Sequence, residues 1–264
     1  MLLTSIKCSN CGAYHDATLK ECPECHKNNE LRALKDFPKN VLFLHPIAQI
    51  ALFLIGFAYI GMLIAGYIFA SFIDNSLLLE SLIYAVAIIG MFSIILITRR
   101  KMFFETFKGI YKYGIGAIIG LVAAGLGFAL VNLIGLWYHG DPNNNQETIE
   151  SYVVAYPIIS FFLFCIVGPF CEELTYRVGL YSFLRRFNKV AAYVVAIIAF
   201  TFIHIRFNNP DLISELWAIP SYVLAAFFLT LAYEKGGLPA SLSAHIVYNI
   251  VSFIMTLVQY GQQS

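Results

Sequence analysis

From Val41 onward, apolar runs of about 20 residues recur along the chain, each long enough to cross a hydrocarbon core of about 30 Å. Backbone polar groups find no water in lipid, so such runs must close their own hydrogen bonds as helices or as a barrel. Their length, and the absence of strict apolar–polar alternation, selects helices. The runs place spans near residues 43–70, 77–98, 114–138, 152–184, 189–206, 215–233 and 238–258. Only 12% of the 264 residues are charged, against about 25% in soluble domains. That disfavours a cytosolic enzyme, a disordered chain and a fibre, and a net charge of +1 leaves no basic footprint for nucleic acid. The sequence predicts an all-α integral membrane protein of about seven transmembrane helices, preceded by a small cysteine-rich module. The third span carries Gly116-x-x-x-Gly120, a face suited to close helix packing. No strand precedes it, which argues against a nucleotide loop.

In the N-terminal module, Cys8, Cys11, Cys22 and Cys25 form two C-x-x-C pairs, CSNCG and CPEC. Four thiolates close a tetrahedral zinc site with no open position, so the expected zinc is structural. Gly12 and Pro23 suit the tight turns that aim backbone amides at sulfur. Two redox disulfides are the alternative. Zinc is preferred because MLLTSIKCSN has too short an apolar run for a secretory signal. The expected division is a zinc ribbon at 1–30, a polar linker at 31–40 and a transmembrane domain at 41–264. Residues 1–40 hold six basic and five acidic side chains, a balance unlike that of a nucleic-acid finger. The ribbon reads instead as an interaction module for a cytoplasmic protein partner. Cys165 and Cys171 read as small buried hydrophobes.

Fifteen of the 17 Lys and Arg residues fall before the first span or after the second, fourth and sixth. The opposite loops hold Arg206 with Asp74, Glu80, Asp141, Glu147, Glu150, Asp211 and Glu215. The positive-inside rule then puts the N-terminus in the cytoplasm and the C-terminus outside. A zinc–thiolate centre, which needs a reducing compartment, gives the same side.

Ionisable and amide side chains within spans are costly and mark functional sites by default. Here they are Glu172, Glu173, Arg177, His204, His245 and Asn249. Glu173 and Arg177, four apart, share a helix face and can pair, and His245 and Asn249, one turn apart, look the same way. Glu172 points about 100° away from Glu173 and needs another partner. At 1.5 Å per residue, Glu172, His204, His245 and Asn249 stand about 21, 22, 15 and 21 Å above the basic ends of their helices. Similar depth from three helices suggests one site. It requires a continuous helix near 170–186, with the chain before Gly168-Pro169 bent or tilted.

EExxxR (Glu172, Glu173, Arg177), FxxxH (Phe200, His204) and HxxxN (His245, Asn249), in this order, resemble the CPBP intramembrane proteases over about residues 110–258. That family is also called the CAAX-protease, bacteriocin-processing or Abi family, and is similar to the Ras-converting enzyme. The resemblance implies hydrolysis of a peptide or protein substrate within lipid, with Glu172 as general base and His204 positioning the water. His245 and Asn249 would stabilise the oxyanion, and Glu173 with Arg177 would hold the helix in register. The same residues fit two chemistries. Glu172, His204 and His245 can hold a catalytic zinc with one open position, whereas the lack of H-E-x-x-H tilts the reading to a metal-free Glu/His pair. The expected setting is a bacterial plasma membrane. A non-enzymatic membrane scaffold or immunity adaptor that kept this fold is the rival from another class. A proton-coupled transporter is a third reading, against which no duplicated half is evident.

Overall fold

The computed structural model of the protein describes residues 5–8, 10–16, 19–28, 40–57, 68, 72–73 and 75–261. Strands β1 (Ser5–Lys7) and β2 (Tyr14–Asp16) pair antiparallel, with Ile6 opposite His15. The helices are α1 (Pro46–Phe57), α2 (Ser76–Thr106), α3 (Tyr111–Gly135), α4 (Asn144–Ala155), α5 (Pro157–Leu184), α6 (Lys189–Phe202), α7 (Leu212–Gly236) and α8 (Leu238–Gly261). Five contain a segment long and apolar enough to cross a membrane, namely α2, α3, α5, α7 and α8, while α1 and α6 are apolar but shorter. The protein is therefore an all-α integral membrane protein with a short N-terminal hairpin. All seven expected spans coincide with apolar helices, five of them of spanning length. Residues 58–67 and 69–70 of the first expected span, residues 71 and 74 after it, and residues 31–39 of the expected linker lie outside the described residues.

One boundary differs from the sequence reading for a local reason. The fourth expected span begins at Pro157 rather than near 152, because Tyr156 (φ −140°, ψ 61°) breaks the helix and Pro157 starts the next. The preceding segment is a separate helix, α4, which carries Glu147 and Glu150. Asn143 caps it by accepting from the Gln146 N–H at 3.3 Å.

The expected bend at Gly168-Pro169 is replaced by a continuous helix. Two π-helical stretches lie within α5, at Leu163–Val167 and Glu173–Tyr181. A helix-interior proline removes a donor and crowds the preceding turn; the wider π turn just before Pro169 absorbs that clash without a break. A π turn uses more residues per rise, so Glu172 lies nearer the basic end of α5 than the straight-helix figure of about 21 Å.

Glycine sets a close helix contact. A Cβ on Gly116 would run into the backbone of Ala240, and one on Gly120 into that of Ala244. Helices α3 and α8 thus meet backbone to backbone along Gly116-x-x-x-Gly120 and Ala240-x-x-x-Ala244. Such small-residue seams replace the hydrophobic effect that lipid cannot supply. The seam also fixes the height of His245, the residue after Ala244.

The ends of the helices that carry Arg185, Arg186 and Lys235 are tied by polar contacts. Fully buried Gln49 on α1 donates to the Val178 carbonyl at 3.2 Å and accepts from Arg186 Nη2 at 2.9 Å. Arg186 also donates to the Leu44 carbonyl and lies over the Phe43 ring. Arg185 pairs with Glu234 at 2.7 Å, and Glu234 also accepts from Tyr181. The Asn40 amide donates to the Lys235 carbonyl at 2.7 Å.

A bulkier residue on the α3–α8 seam should separate the two helices. Gly120→Val is expected to destabilise the detergent-solubilised protein by about 1–3 kcal/mol. Gly125→Val, at a position with open space around it, should change stability by less than about 0.5 kcal/mol. Thermal unfolding of the two variants beside the parent checks the contrast.

Candidate functional site

Glu173 stands at the centre of the polar cluster, completely buried. Its Oε1 lies 3.2 Å from Arg177 Nη1 on the same helix and 2.9 Å from His245 Nδ1 on α8. A carboxylate oxygen only accepts, so the Nδ1 of His245 carries the hydrogen of that bond. The remaining ring nitrogen, Nε2, lies 3.7 Å from Glu172 Oε2. The partner that Glu172 lacked in sequence is therefore His245, which stands between the two adjacent carboxylates. Glu172 itself keeps 20% of its side-chain surface exposed. It lines a cavity of about 30 Å³ with Cys171, Thr175, Tyr176 and Ile203, space for about one or two waters.

Phe200 organises the other half of the cluster. The Arg177 guanidinium lies over its ring at 4.8 Å, Tyr176 meets it edge-on at 5.3 Å, and the His204 ring is 4.7 Å away. His204 sits just past the end of α6. Its Nδ1 lies 2.7 Å from the Phe200 carbonyl, so the side chain caps its own helix. A carbonyl cannot donate, which puts the hydrogen on Nδ1 and leaves the Nε2 of neutral His204 as an acceptor. The Tyr222 ring of α7 stacks on this imidazole at 4.5 Å and 25°. The His245 ring also packs against Phe200, with centroids 6.1 Å apart. The structure thus gathers Glu172, Glu173, Arg177, His204 and His245.

Asn249 is at the same locus, with a task the sequence did not reveal. Its Nδ2 donates to the Phe164 carbonyl at 2.8 Å. Phe164 lies in the first π stretch of α5, five residues before Pro169, where an i→i+5 ladder would need the N–H that proline lacks. Asn249 supplies the missing donor and ties α8 to α5, which leaves one of its two N–H groups for other work.

Sequence reasoning also missed Asn143, Tyr222 and Glu215. Fully buried Glu215, assigned to an outer loop, lies in the first turn of α7. It accepts from the Asn144 and Arg206 backbone N–H groups, each at 3.0 Å, and from the Asn209 side chain at 2.7 Å. An Asn-x-x-Gln cap at Asn143–Gln146 was the available signal for α4. The cross-helix partners left no local trace.

The four N-terminal cysteines converge as their spacing predicted. Cys8 and Cys25 sulfurs are 3.6 Å apart, as are Cys11 and Cys22, and all four lie within 4.8 Å of one another. A tetrahedral zinc with 2.3 Å bonds would set its sulfurs about 3.8 Å apart, so this quartet can hold a metal ion of that kind. Each C-x-x-C turn is followed by a residue of positive φ, Gly12 at 75° and His26 at 56°. The Cys8 thiol is lowered by the backbone N–H groups of Cys11 and Asn10, and Cys25 is brought down to about 6, first by the Asn10 side chain and then by the Lys27 N–H. Among the described residues, these cysteines are the group of three or more His, Cys, Asp or Glu whose ligand atoms converge in this way.

Residues 154–251 match the family model of the Rce1-like type II CAAX prenyl endopeptidases. The chain is 27% identical over 142 residues to the UPF0177 protein YvdC of Lactococcus lactis subsp. lactis, a match covering 50% of this chain and 52% of that protein. It is 29% identical over 199 residues to an uncharacterized protein of Mycoplasma capricolum, covering 69% of this chain and 55% of that one. A UPF0177 protein in the abiGi 5′ region of L. lactis subsp. cremoris is 26% identical over 110 residues, covering 41% and 44%. The chain spans about half the length of the curated relatives it matches. No solved structure matches it.

Removing one partner of the buried pair strands the other. Arg177→Met should cost about 3–5 kcal/mol, because it leaves the Glu173 carboxylate buried beside a single imidazole. Pairing it with Glu173→Gln should recover part of that loss. Thermal unfolding in detergent compares the single and double variants.

Proposed function

We propose that this chain, whose residues 154–251 belong to the CPBP (CAAX-protease and Abi) family, is an intramembrane endopeptidase. It hydrolyses a peptide bond of a membrane-associated or lipidated peptide or protein. The observation that carries this reading is Glu172, which lines a cavity of water size and lies 3.7 Å from His245, with the His204 and His245 rings both packed against Phe200. A merely structural knot would leave Glu172 without a reason to face open space.

Glu172 acts as general base and His204 orients the water. With its Nδ1 hydrogen committed to Phe200, His204 offers an Nε2 lone pair, so the water gives one hydrogen to His204 and the other to Glu172. As the water oxygen bonds to the scissile carbonyl carbon, its proton passes to Glu172. That proton then moves to the amine nitrogen as the C–N bond breaks. The oxyanion is met by His245 Nε2–H and the remaining N–H of Asn249. Because His245 Nδ1 already donates to Glu173, it can offer Nε2–H only with both nitrogens protonated. Two carboxylates against one guanidinium supply the counter-charge for that form.

The ribbon at 1–30 carries a structural zinc on Cys8, Cys11, Cys22 and Cys25 and presents a docking module for a cytoplasmic protein. The linker at 31–40 joins it to the transmembrane domain at 41–264. The basic helix ends and the ribbon face the cytoplasm of a bacterial plasma membrane, with the C-terminus outside.

Cells carrying the parent protein should yield peptide ends, in membrane and medium, that vanish with Glu172→Gln at matched protein level. Mass spectrometry of those ends makes the comparison. Identical catalogues with an intact host phenotype would replace the protease with a scaffold. Cys22→Ser should drop the bound zinc from about one per chain to none while the Glu172-dependent cleavage persists. Elemental analysis with the same peptide catalogue reads both, and loss of cleavage would contradict the separation of ribbon from site.

A further inference from the structure

We infer that Asn143 and Tyr222 form a clamp that positions the His204 imidazole, so that a loop outside the catalytic helices sets the orientation of a catalytic side chain. The inference deepens the protease reading and rests on it only for the role given to His204.

His204 needs such help because of where it stands. Helix α6 ends at Phe202, so His204 lies in the turn that follows, its N–H held by the Thr201 carbonyl at 3.0 Å while its own carbonyl is beyond the helical ladder. Its side chain has one tether of its own, the Nδ1 contact to Phe200. A single hydrogen bond along the ring edge still lets the imidazole rock about that axis. Two groups remove this freedom. The Tyr222 ring lies nearly parallel to the imidazole at 4.5 Å and blocks tilting on one face. Asn143 Nδ2 donates to the His204 carbonyl at 3.1 Å and fixes the backbone beneath.

One side chain joins the two restraints. Tyr222 donates its hydroxyl hydrogen to Asn143 Oδ1 at 3.3 Å and accepts from Asn145 Nδ2 at 3.1 Å. Asn143 therefore holds both the backbone of His204 and the ring stacked on its side chain. Asn143 is itself held as the α4 cap, and its neighbour Asn144 donates to the buried Glu215 carboxylate at 3.0 Å. The same carboxylate takes the Arg206 N–H, two residues past His204. The loop before α4, the chain after α6 and the first turns of α7 are thereby fastened as one unit around His204. Asn143 and Tyr222 are positioning residues, since they act through His204.

The test reads the imidazole directly, in the full-length protein labelled with ¹⁵N-histidine and solubilised in detergent, with His204→Ala assigning the signals. In the parent, His204 should show one protonated and one unprotonated nitrogen, the fixed Nδ1–H form. Tyr222→Leu should draw those two shifts toward an average while the His245 signals, tethered to Glu173, stay in place. Tyr222→Trp, which keeps a stacked ring, should restore the parent pattern, and Asn143→Ala should give a partial shift. Loss of the Glu172-dependent peptide ends should follow the shifts, with a drop on the order of 10²-fold in turnover for Tyr222→Leu. Unmoved His204 signals in Tyr222→Leu would overturn the clamp. So would His204 and His245 moving together with no rescue by Tyr222→Trp, which marks general loosening. Cleavage that survives Glu172→Gln would instead end the protease reading and leave the nitrogen shifts to decide the clamp alone.

Discussion

The Glu173 carboxylate, fully buried and shared between Arg177 and His245, is the contact on which the rest of the arrangement depends. A lone carboxylate there would cost several kcal/mol in lost hydration. Its two cationic or donor partners come from its own helix and from α8, so satisfying the charge also locks α5 to α8. That lock presents His245 Nε2 to Glu172, and the adjacent carboxylates acquire different environments. Glu173 is enclosed and spent on structure, whereas Glu172 is partly open beside a cavity. Two neighbouring residues of one type thereby stand in two different settings.

Lipid explains why the polar contacts take the form they do. With no water to fall back on, each break in a helix needs a partner from elsewhere in the protein. Asn249 meets the carbonyl beside Pro169, His204 caps α6 with its own ring, and Gln49 and Arg186 take up carbonyls where α1 approaches α5. Between these points the helices are held by shape. The seam of Gly116 and Gly120 against Ala240 and Ala244 brings α8 near enough for the polar contacts to reach.

Much of this was legible in the chain because it is local or periodic. Long apolar runs marked the spans, charged residues inside them marked the cluster, and the cysteine spacing marked a group able to hold a metal ion. Pairing of Glu173 with Arg177 followed from their separation alone. What could not be read depended on long-range partners. Nothing near residue 173 announces His245, and nothing near 249 announces the carbonyl at 164. The π turns of α5 were hidden because the same residues suit an ordinary helix, and only packing around Pro169 selects the wider turn. The loop before α4 looked like plain connection because its role lies in side chains reaching residues 204, 215 and 222.

The central claim is that Glu173 and His245 interact directly and thereby build the site. A double-mutant cycle with Glu173→Gln and His245→Gln, followed by reversible unfolding in detergent micelles, measures that interaction without reference to any substrate. The account predicts that the two losses fall short of adding, by at least about 1 kcal/mol, because either change alone already breaks the shared bond. Strictly additive losses would mean that the two side chains do not meet and would contradict the account.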